Sequence, residues 1–302
     1  MDAIDRTHFE VLPYFIDKAG AWEPSPILPV PGANPGIDIV FPVLHGTFGE
    51  DGTVQGLLEL ADLPYVGAGV LGSSLCMHKG FTKRICVEQG IPVAEFHLDY
   101  RWTPVQSFID LVECSFGYPC FVKPANLGSS VGISKAHSAD ELRSALQLAG
   151  RFDDSILVER AIVGQELECS VLGNEKIDAS IPGEIIPGGE FYDYEDKYVD
   201  GAAQTLIPAR ISETDQAQVR ELAVRVARAL GVEGMARVDF FREESSGTIY
   251  LNEVNTIPGF TSISMYSKMW EAAGVPYQEL LTRLIDLAVQ RHERRKNLTF
   301  TR

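Results

Sequence analysis

The chain has 302 residues, of which 45% are hydrophobic and 23% are charged, and its formal net charge is −16. This length allows two or three domains, and the composition is typical of a globular protein. Because so acidic a chain repels phosphate backbones, it disfavours nucleic acid as a partner. Five cysteines without a CxxC pair favour reduced thiols and a cytoplasmic location. We expect no membrane association, because no apolar run is long enough to span a bilayer and no signal-peptide pattern is visible.

The first part of the chain predicts an α/β domain. A strand is predicted over residues 9–17, a Pro- and Gly-rich loop over 21–36 and a buried strand over 37–45. A helix capped by Thr53 and a further buried strand at 63–69 complete a βαβ unit. This order predicts a mostly parallel sheet.

The middle of the chain predicts an α+β region. A helix is expected over residues 73–90, with a break near Gly80. A strand–loop–strand pattern follows over 116–136, then a helix capped by Ser138. Two more strands surround a turn at Gly164.

The last part of the chain predicts a second α+β region. Residues 188–204 are polar, aromatic and Gly-flanked, which indicates a mobile loop. An amphipathic helix is predicted over 212–231 and a β-hairpin over 235–255. A final helix over 275–297 ends in basic residues, which suit the C-terminal end of a helix dipole.

The predicted hairpin carries the clearest chemical pattern. Residues two apart on a strand share a face, so Arg237 and Asp239 lie together on one arm. On the other arm Leu251, Glu253 and Asn255 share a face. If the two faces coincide, the oxygen-bearing side chains form a set suited to Mg²⁺, and Arg237 supplies positive charge for an anionic substrate. The alternative is the solvated outer face of an edge hairpin.

Two further patterns indicate contacts to a nucleotide. Lys123 ends an apolar strand, and the loop at 127–132 offers backbone amides that can hold phosphate oxygens. A hairpin turn without a ligand is an equally good interpretation of that loop, and Lys79 alone is as consistent with a solvated charge. Glu159 and Glu166 could accept hydrogen bonds from an adenine amine and ribose hydroxyls, although exposed strand-end charges are the simpler interpretation.

Taken together, these segments resemble the ATP-grasp superfamily and, within it, the D-alanine–D-alanine ligase family. The segments occur in the family's order and cover nearly the whole chain from Ile4 onward. The most specific of them are KPANLGSSVGISK and NEVNTIPGFTSIS. The matching stretches are residues 43–84, 121–136, 156–168, 192–198, 234–242 and 250–266.

The resemblance implies a fold of mixed α/β and α+β class. It is an ATP-grasp fold preceded by a shortened N-terminal α/β domain with a parallel sheet. The implied boundaries are 1–67 for the N-terminal domain, 68–159 for the central ATP-grasp subdomain and 160–302 for the C-terminal subdomain, with ATP held between the last two.

The resemblance also implies a reaction. ATP phosphorylates the carboxylate of one D-alanine, the amine of a second D-alanine attacks the acyl phosphate, and the dipeptide serves peptidoglycan synthesis. The implied cofactors are ATP and two Mg²⁺ ions, with Mn²⁺ as an alternative, and the implied partners are D-alanine, ATP and a second copy of the chain. The motif YDYEDKY at 192–198 favours an amine over a hydroxy acid as the nucleophile, and its loop is expected to exclude water from the acyl phosphate.

Individual residues receive roles from the same resemblance. The nucleotide-binding residues are Lys79, Lys123, Ser130, Glu159, Arg160, Ile162, Glu166 and, once the loop closes, Lys197. The metal ligands are Asp239, Glu253 and Asn255. The catalytic residues are Arg237 and the backbone of Gly259, which stabilise an oxyanion, and the positioning pair Ser129 and Tyr198. The substrate-binding residues are His45 for the first D-alanine and Ser264 for the carboxylate of the second.

The start of the chain departs from the family pattern. The family begins with a strand and a Gly-rich turn along the lines of GGxSxEHxVS, whereas the first residues here match the region that comes after that segment in the family. The Glu of the segment anchors the first D-alanine. A start codon assigned too far downstream, an engineered shortening and a natural loss are all consistent with this pattern. The alternative function is therefore an ATP-binding relative with weak or no ligase activity, and a more distant one is a carboxylate–amine ligase with other substrates.

Overall fold

The structure, a computed structural model, describes residues 3–128, 131–186, 204–261 and 264–299. The predicted mobile loop lies outside the described residues except for Gln204. Within the described part of the chain, none of the helices is long and apolar enough to cross a membrane.

The N-terminal segment contains less strand than predicted. Two short strands, β1 (Phe15–Ile16) and β2 (Trp22–Glu23), pair antiparallel. The buried strands expected over 37–45 and 63–69 reduce to a single parallel bridge between Val40 and Tyr65. Prolines occur in both of these runs, and a proline cannot donate a ladder hydrogen bond. The parallel direction is confirmed at this bridge, whereas the predicted length of the strands is wrong.

Helix α1 (Thr53–Leu60) is capped differently from the prediction. Thr53 is its first residue, and Gly52 is the N-cap with a left-handed φ of 95°. The Asp51 carboxylate accepts the Thr53 amide at 2.9 Å and the Phe48 amide at 2.8 Å. Asp51 therefore satisfies the first amide of the helix, which has no partner inside the helix.

The next helix breaks two residues before the predicted position. Helices α2 (Val70–Met77) and α3 (Lys79–Glu88) meet at His78, whose Nδ1 accepts the Phe81 amide at 3.3 Å. Gly80 lies in the first turn of α3, where an added Cβ would come within 2.5 Å of Leu98. Close packing, and not a break, therefore explains this glycine.

A four-stranded antiparallel sheet forms the centre of the chain, in the order β3-β6-β4-β5. Its strands are β3 (Phe96–Tyr100), β4 (Cys120–Pro124), β5 (Ser134–Ala136) and β6 (Ser155–Arg160). Helices α4 (Val105–Ser115) and α5 (Ala139–Ala149) cover one face with apolar side chains. Because side chains alternate along a strand, Lys123 and Glu159 lie on the other face.

A six-stranded antiparallel sheet follows, in the order β10-β9-β7-β11-β12 with β8 beside β7. Its strands are β7 (Gly164–Gly173), β8 (Ile177–Ala179), β9 (Gly183–Ile186), β10 (Gln204–Leu206), β11 (Gly234–Glu243) and β12 (Ile249–Asn255). Helix α6 (Glu213–Ala229) covers one face, together with buried residues of α2 and α3. Helices α7 (Met265–Ala272) and α8 (Tyr277–Lys296) cover the other. The two antiparallel sheets and their helices confirm the α+β part of the predicted class.

The last turns of α8 hold the N-terminal segment. The buried guanidinium of Arg291 donates to the carbonyl oxygens of Gly67 and Tyr65 and lies 4.3 Å from the centre of the Tyr65 ring. We expect Arg291→Ala to lower the free energy of unfolding by about 2–4 kcal/mol, since it leaves two buried carbonyls without donors and removes a cation–π contact. Urea unfolding measures this. The control is Lys296→Ala, which removes an exposed ion pair 3.9 Å long and should cost less than about 0.5 kcal/mol. Equal effects of the two changes would contradict this interpretation.

Candidate active site

The β11–β12 hairpin brings the predicted metal and catalytic residues onto one face. Arg237 pairs with Asn255 and Asp239 with Glu253 in the antiparallel register. The register then shifts, so that Phe240 pairs with Leu251 and Asn252 is the extra residue of a β-bulge. The bulge turns Leu251 into the core beneath α6, so the prediction that Leu251 shares a face with Glu253 is wrong.

Asp239 is the centre of a charged network within this face. It is 3% exposed and receives two hydrogen bonds of 2.8 Å from the Arg237 guanidinium. The Asn255 amide donates to the same carboxylate at 2.9 Å. Glu168, which the sequence interpretation missed, lies 3.2 Å from Arg237 on strand β7. Burial lowers the pKa of Arg237, but Asp239 and Glu168 outweigh it and raise the pKa above its ordinary value, so the guanidinium stays charged.

The donor atoms of this face fit a magnesium ion. Two carboxylates and one amide supply hard oxygen ligands of the kind that Mg²⁺ prefers. The Asn255 nitrogen donates to Asp239, which leaves its carbonyl oxygen as the atom suited to a metal. Arg237 bonds to both oxygens of Asp239, but a carboxylate has about four acceptor positions. In the described part of the chain no three His, Cys, Asp or Glu side chains form a metal-binding group on their own, so the amide is needed.

Two lysines approach this face: Lys79 from helix α3 and Lys123 from strand β4 of the four-stranded sheet. The Lys79 ammonium donates to the carbonyl oxygen of Leu127 at 2.6 Å and lies 3.5 Å from Glu253. Lys79 thus joins the start of the predicted phosphate loop to the hairpin. The Lys123 ammonium donates to Asn252, the bulged residue, at 3.2 Å. Both ammonium groups are buried and sit close to the carboxylates that would hold a metal, as a phosphate-binding site requires.

Glu159 lies between two lysines. Its carboxylate forms ion pairs with Lys123 and with Lys83 on α3, the latter at 2.8 Å. The sequence interpretation missed Lys83, because the sequence of α3 does not indicate which strand its lysines contact. Burial raises the pKa of Glu159, but the two ammonium groups outweigh it and lower the pKa to about 2.

The depressed pKa of Glu159 predicts an acid-sensitive contribution to stability. Because its folded-state pKa lies below the ordinary 4.5, the contribution is complete above that value and is lost as the pH falls from there toward about 2. It amounts to about 3 kcal/mol at most. We expect Glu159→Gln to flatten the fall in unfolding free energy between pH 4.5 and about pH 2, measured by urea unfolding. Glu88→Gln, an exposed change at the end of α3, should leave that slope unaltered; a slope insensitive to Glu159→Gln would refute the assignment.

The N-terminal segment reaches the site through His45 and Glu50. His45 Nδ1 lies 3.1 Å from the carbonyl oxygen of Ile257, and the Glu50 carboxylate accepts the Ile257 amide at 3.2 Å. Glu50 also accepts the Gly46 amide at 2.7 Å. Both polar groups of the Ile257 backbone are therefore held from the N-terminal side, two residues before Gly259. The sequence interpretation missed Glu50, although it lies in the Gly-rich HGTFGEDG turn after a predicted strand.

The remaining predicted residues are distributed around this centre. Gly259 and Ser264 adjoin, because a Cβ on Gly259 would lie 3.2 Å from Ser264 Oγ. The Arg160 side chain pairs with Glu243 at 2.7 Å, and its backbone amide donates to the carbonyl oxygen of Glu95 at 2.9 Å. Ile162 lies half-buried between β6 and β7, and Glu166 lies on β7. The other predicted residues lie outside the described part of the chain: Ser129, Ser130, Lys197 and Tyr198.

Comparisons with known proteins identify the relatives of the chain. Residues 85–286 match the family model of the D-ala D-ala ligase C-terminus, and residues 29–68 match that of the N-terminus. The chain is 56% identical over 299 residues to a D-alanine–D-alanine ligase of Solibacter usitatus (strain Ellin6076), covering 99% of this chain and 91% of the relative. It is 57% identical over 259 residues to one from Thermoanaerobacter sp. (strain X514), covering 85% and 72%.

Solved structures give the same result. The crystal structure of the VanG D-Ala:D-Ser ligase from Enterococcus faecalis has a TM-score of 0.84 at 34% identity, covering 95% of this chain and 92% of that one. The D-alanine–D-alanine ligase from Coxiella burnetii has a TM-score of 0.78 at 42% identity, covering 86% and 70%. With both family models matched and a relative 56% identical along nearly its whole length, the chain belongs to the D-alanine–D-alanine ligase family.

Proposed function

We propose that the chain is an ATP-dependent D-alanine–D-alanine ligase. It activates the carboxylate of one D-alanine as an acyl phosphate, joins it to the amine of a second, and releases ADP and phosphate. The observation that carries the proposal is the meeting of Arg237, Asp239, Glu253 and Asn255 on one hairpin face beside two buried lysines. Relatives that bear this name share more than half of their aligned residues with the chain, which favours an active ligase over an inactive ATP-binding relative.

The buried charges divide the work of phosphoryl transfer. Lys79 and Lys123 hold the ATP phosphates. Asp239, Glu253 and Asn255 are the ligands of two Mg²⁺ ions, with Mn²⁺ as an alternative. When bound, the metal neutralises phosphate charge and polarises the transferred group. Glu159, Arg160, Ile162 and Glu166 surround the adenosine, with Ser130 at the phosphates and Lys197 closing over them.

The substrate side of the site lies next to the hairpin. Arg237 and the backbone amide of Gly259 stabilise the negative charge that forms when the amine attacks the acyl phosphate. His45 contacts the first D-alanine, and the Ile257 carbonyl holds its ring through Nδ1, which directs Nε2 away from Ile257. Ser264 binds the carboxylate of the second D-alanine, and Ser129 with Tyr198 positions the first.

The location, the domain boundaries and the oligomeric state are part of the same proposal. All five cysteines lie in the described residues and are free thiols, which supports a cytoplasmic location. We also propose domain boundaries of 1–67, 68–159 and 160–302 and a homodimer formed through the N-terminal domain. Gel filtration with light scattering measures the oligomeric state.

The test is a steady-state assay of the purified chain with ATP, MgCl₂ and D-alanine. We expect ADP release that depends on D-alanine and equals the dipeptide formed, measured by coupled spectrophotometry and mass spectrometry. D-serine and D-lactate are offered in place of the second D-alanine, and we expect D-alanine to be the preferred acceptor. ATP hydrolysis that does not respond to D-alanine would show the ATP-binding alternative, and preferential use of D-lactate would overturn the proposed nucleophile.

A further inference from the structure

Lys83 is a buried lysine that the proposed chemistry does not use. It lies on α3 four residues after Lys79, so the two side chains share one face of the helix. Lys83 is 1% exposed, and a buried ammonium is costly unless it has an anionic partner and hydrogen bonds. Its partners therefore identify what the residue is placed to do.

The Lys83 ammonium connects the two sheets that face the site. It lies 2.8 Å from one carboxylate oxygen of Glu159 on β6 and donates to the carbonyl oxygen of Leu251 on β12 at 3.4 Å. Lys123 makes the same two kinds of contact. It pairs with the other oxygen of Glu159 and donates to Asn252 on β12. Two lysines thus hold one carboxylate from both sides, and both reach the same strand.

We infer that Lys83 is a positioning residue for the nucleotide: it fixes the Glu159 carboxylate, so that Lys123 can turn to the ATP phosphates while Glu159 meets the adenine amine. The inference rests on the proposed function, because it assigns these two partners to ATP. A carboxylate accepts about four hydrogen bonds, so the lysine contacts leave capacity for the amine.

The charges explain why a second lysine is needed. Lys83 and Lys123 both pair with Glu159, so Lys83 keeps a cation beside this carboxylate when Lys123 turns toward the phosphates. Without it, Glu159 and Lys123 form a neutral pair, and Lys123 can leave Glu159 only by exposing a buried carboxylate with no cation beside it. Breaking a buried ion pair in this way is strongly unfavourable. Removal of Lys83 should therefore weaken ATP binding and loosen the recognition of the adenine amine, with little effect on D-alanine.

The test compares Lys83→Met with the wild-type protein in nucleotide binding and turnover. We expect the KM for ATP, and the Kd for ATP measured by calorimetry, to rise by about tenfold, while the KM for D-alanine changes by less than about twofold. We also expect the preference for ATP over purine riboside triphosphate, which lacks the amine, to fall by about tenfold in kcat/KM. Lys83→Arg keeps the charge and should recover most of both effects.

The matched control is Arg84→Met, which removes an exposed cation from the neighbouring position of α3 and should change neither quantity. An unchanged ATP Kd and an unchanged nucleotide preference in Lys83→Met would overturn the inference. The inference would also be overturned if the KM values for ATP and D-alanine rose equally and Lys83→Arg did not restore them, since a general packing defect gives that result. Because calorimetry needs no turnover, it tests Lys83 even if the wild-type protein proves inactive as a ligase, and that inactivity would refute the proposed function alone.

Discussion

Asp239→Asn is expected to lower kcat by about 10³-fold, the order of loss seen when a group that stabilises transition-state charge is removed. Asparagine has nearly the same shape, but it lacks the negative charge that the magnesium site and Arg237 both use. The variant should also need more Mg²⁺ for half-maximal activity, because one of two carboxylates in the donor set has been lost. Steady-state ADP release at increasing MgCl₂ measures both effects.

Two features of the structure sharpen this experiment. Glu168 also pairs with Arg237, so the guanidinium keeps one anionic partner in Asp239→Asn and the fold should survive. Asp178→Asn, an exposed change on β8 of the same sheet, is the control and should retain wild-type activity. If Asp239→Asn kept activity within about tenfold of the wild type at ordinary MgCl₂, Asp239 would not be a metal ligand.

The chemistry of the hairpin could be predicted from sequence because its signal is local. Period-two alternation and a short connecting turn determine which residues of β11 and β12 face the same side. The bulge at Asn252 interrupts that alternation, because the buried residues Ile249 and Leu251 are two apart whereas Leu251 and Val254 are three apart. A strict period of two therefore placed Leu251 on the wrong face. The consequence of the bulge is functional, because the extra residue is the one that accepts a hydrogen bond from Lys123.

The contacts that the sequence interpretation missed join residues far apart in the chain. Lys83 and Glu159 belong to a helix and a strand, and Glu50 accepts the amide of Ile257, 207 residues later in the chain. Each is an ordinary charged residue in its own segment, so only the packing of α3 and of the HGTFGEDG turn against the sheets gives it a partner. The predicted N-terminal strands were wrong for a different reason. Apolar runs predicted strands there, but a strand also needs a neighbouring strand whose hydrogen-bond donors lie in register.

The second large effect is expected at Arg237, where an effect on kcat can be measured separately from an effect on folding stability. Arg237→Met should lower kcat by about 10²- to 10³-fold, because the oxyanion loses a preorganised positive charge. Arg237→Lys should recover only part of this loss, since an ammonium cannot replace two parallel hydrogen bonds to Asp239. The control is Arg242→Met on the same strand, which breaks the 3.0 Å ion pair with Asp215 away from the site and should leave kcat within about twofold.

The step that Arg237 serves can be identified by trapping the acyl phosphate with hydroxylamine. If Arg237 acts on the tetrahedral intermediate, Arg237→Met should still convert ATP and D-alanine to the hydroxamate while dipeptide formation falls, because the first step does not need the oxyanion site. Loss of both products in proportion would instead assign Arg237 to phosphoryl transfer or to holding Asp239 for the metal. Thermal unfolding of the same sample separates either result from misfolding, since Arg237→Met leaves Asp239 and Glu168 buried without their shared cation. A folded variant that makes hydroxamate but little dipeptide is therefore the outcome that this geometry predicts.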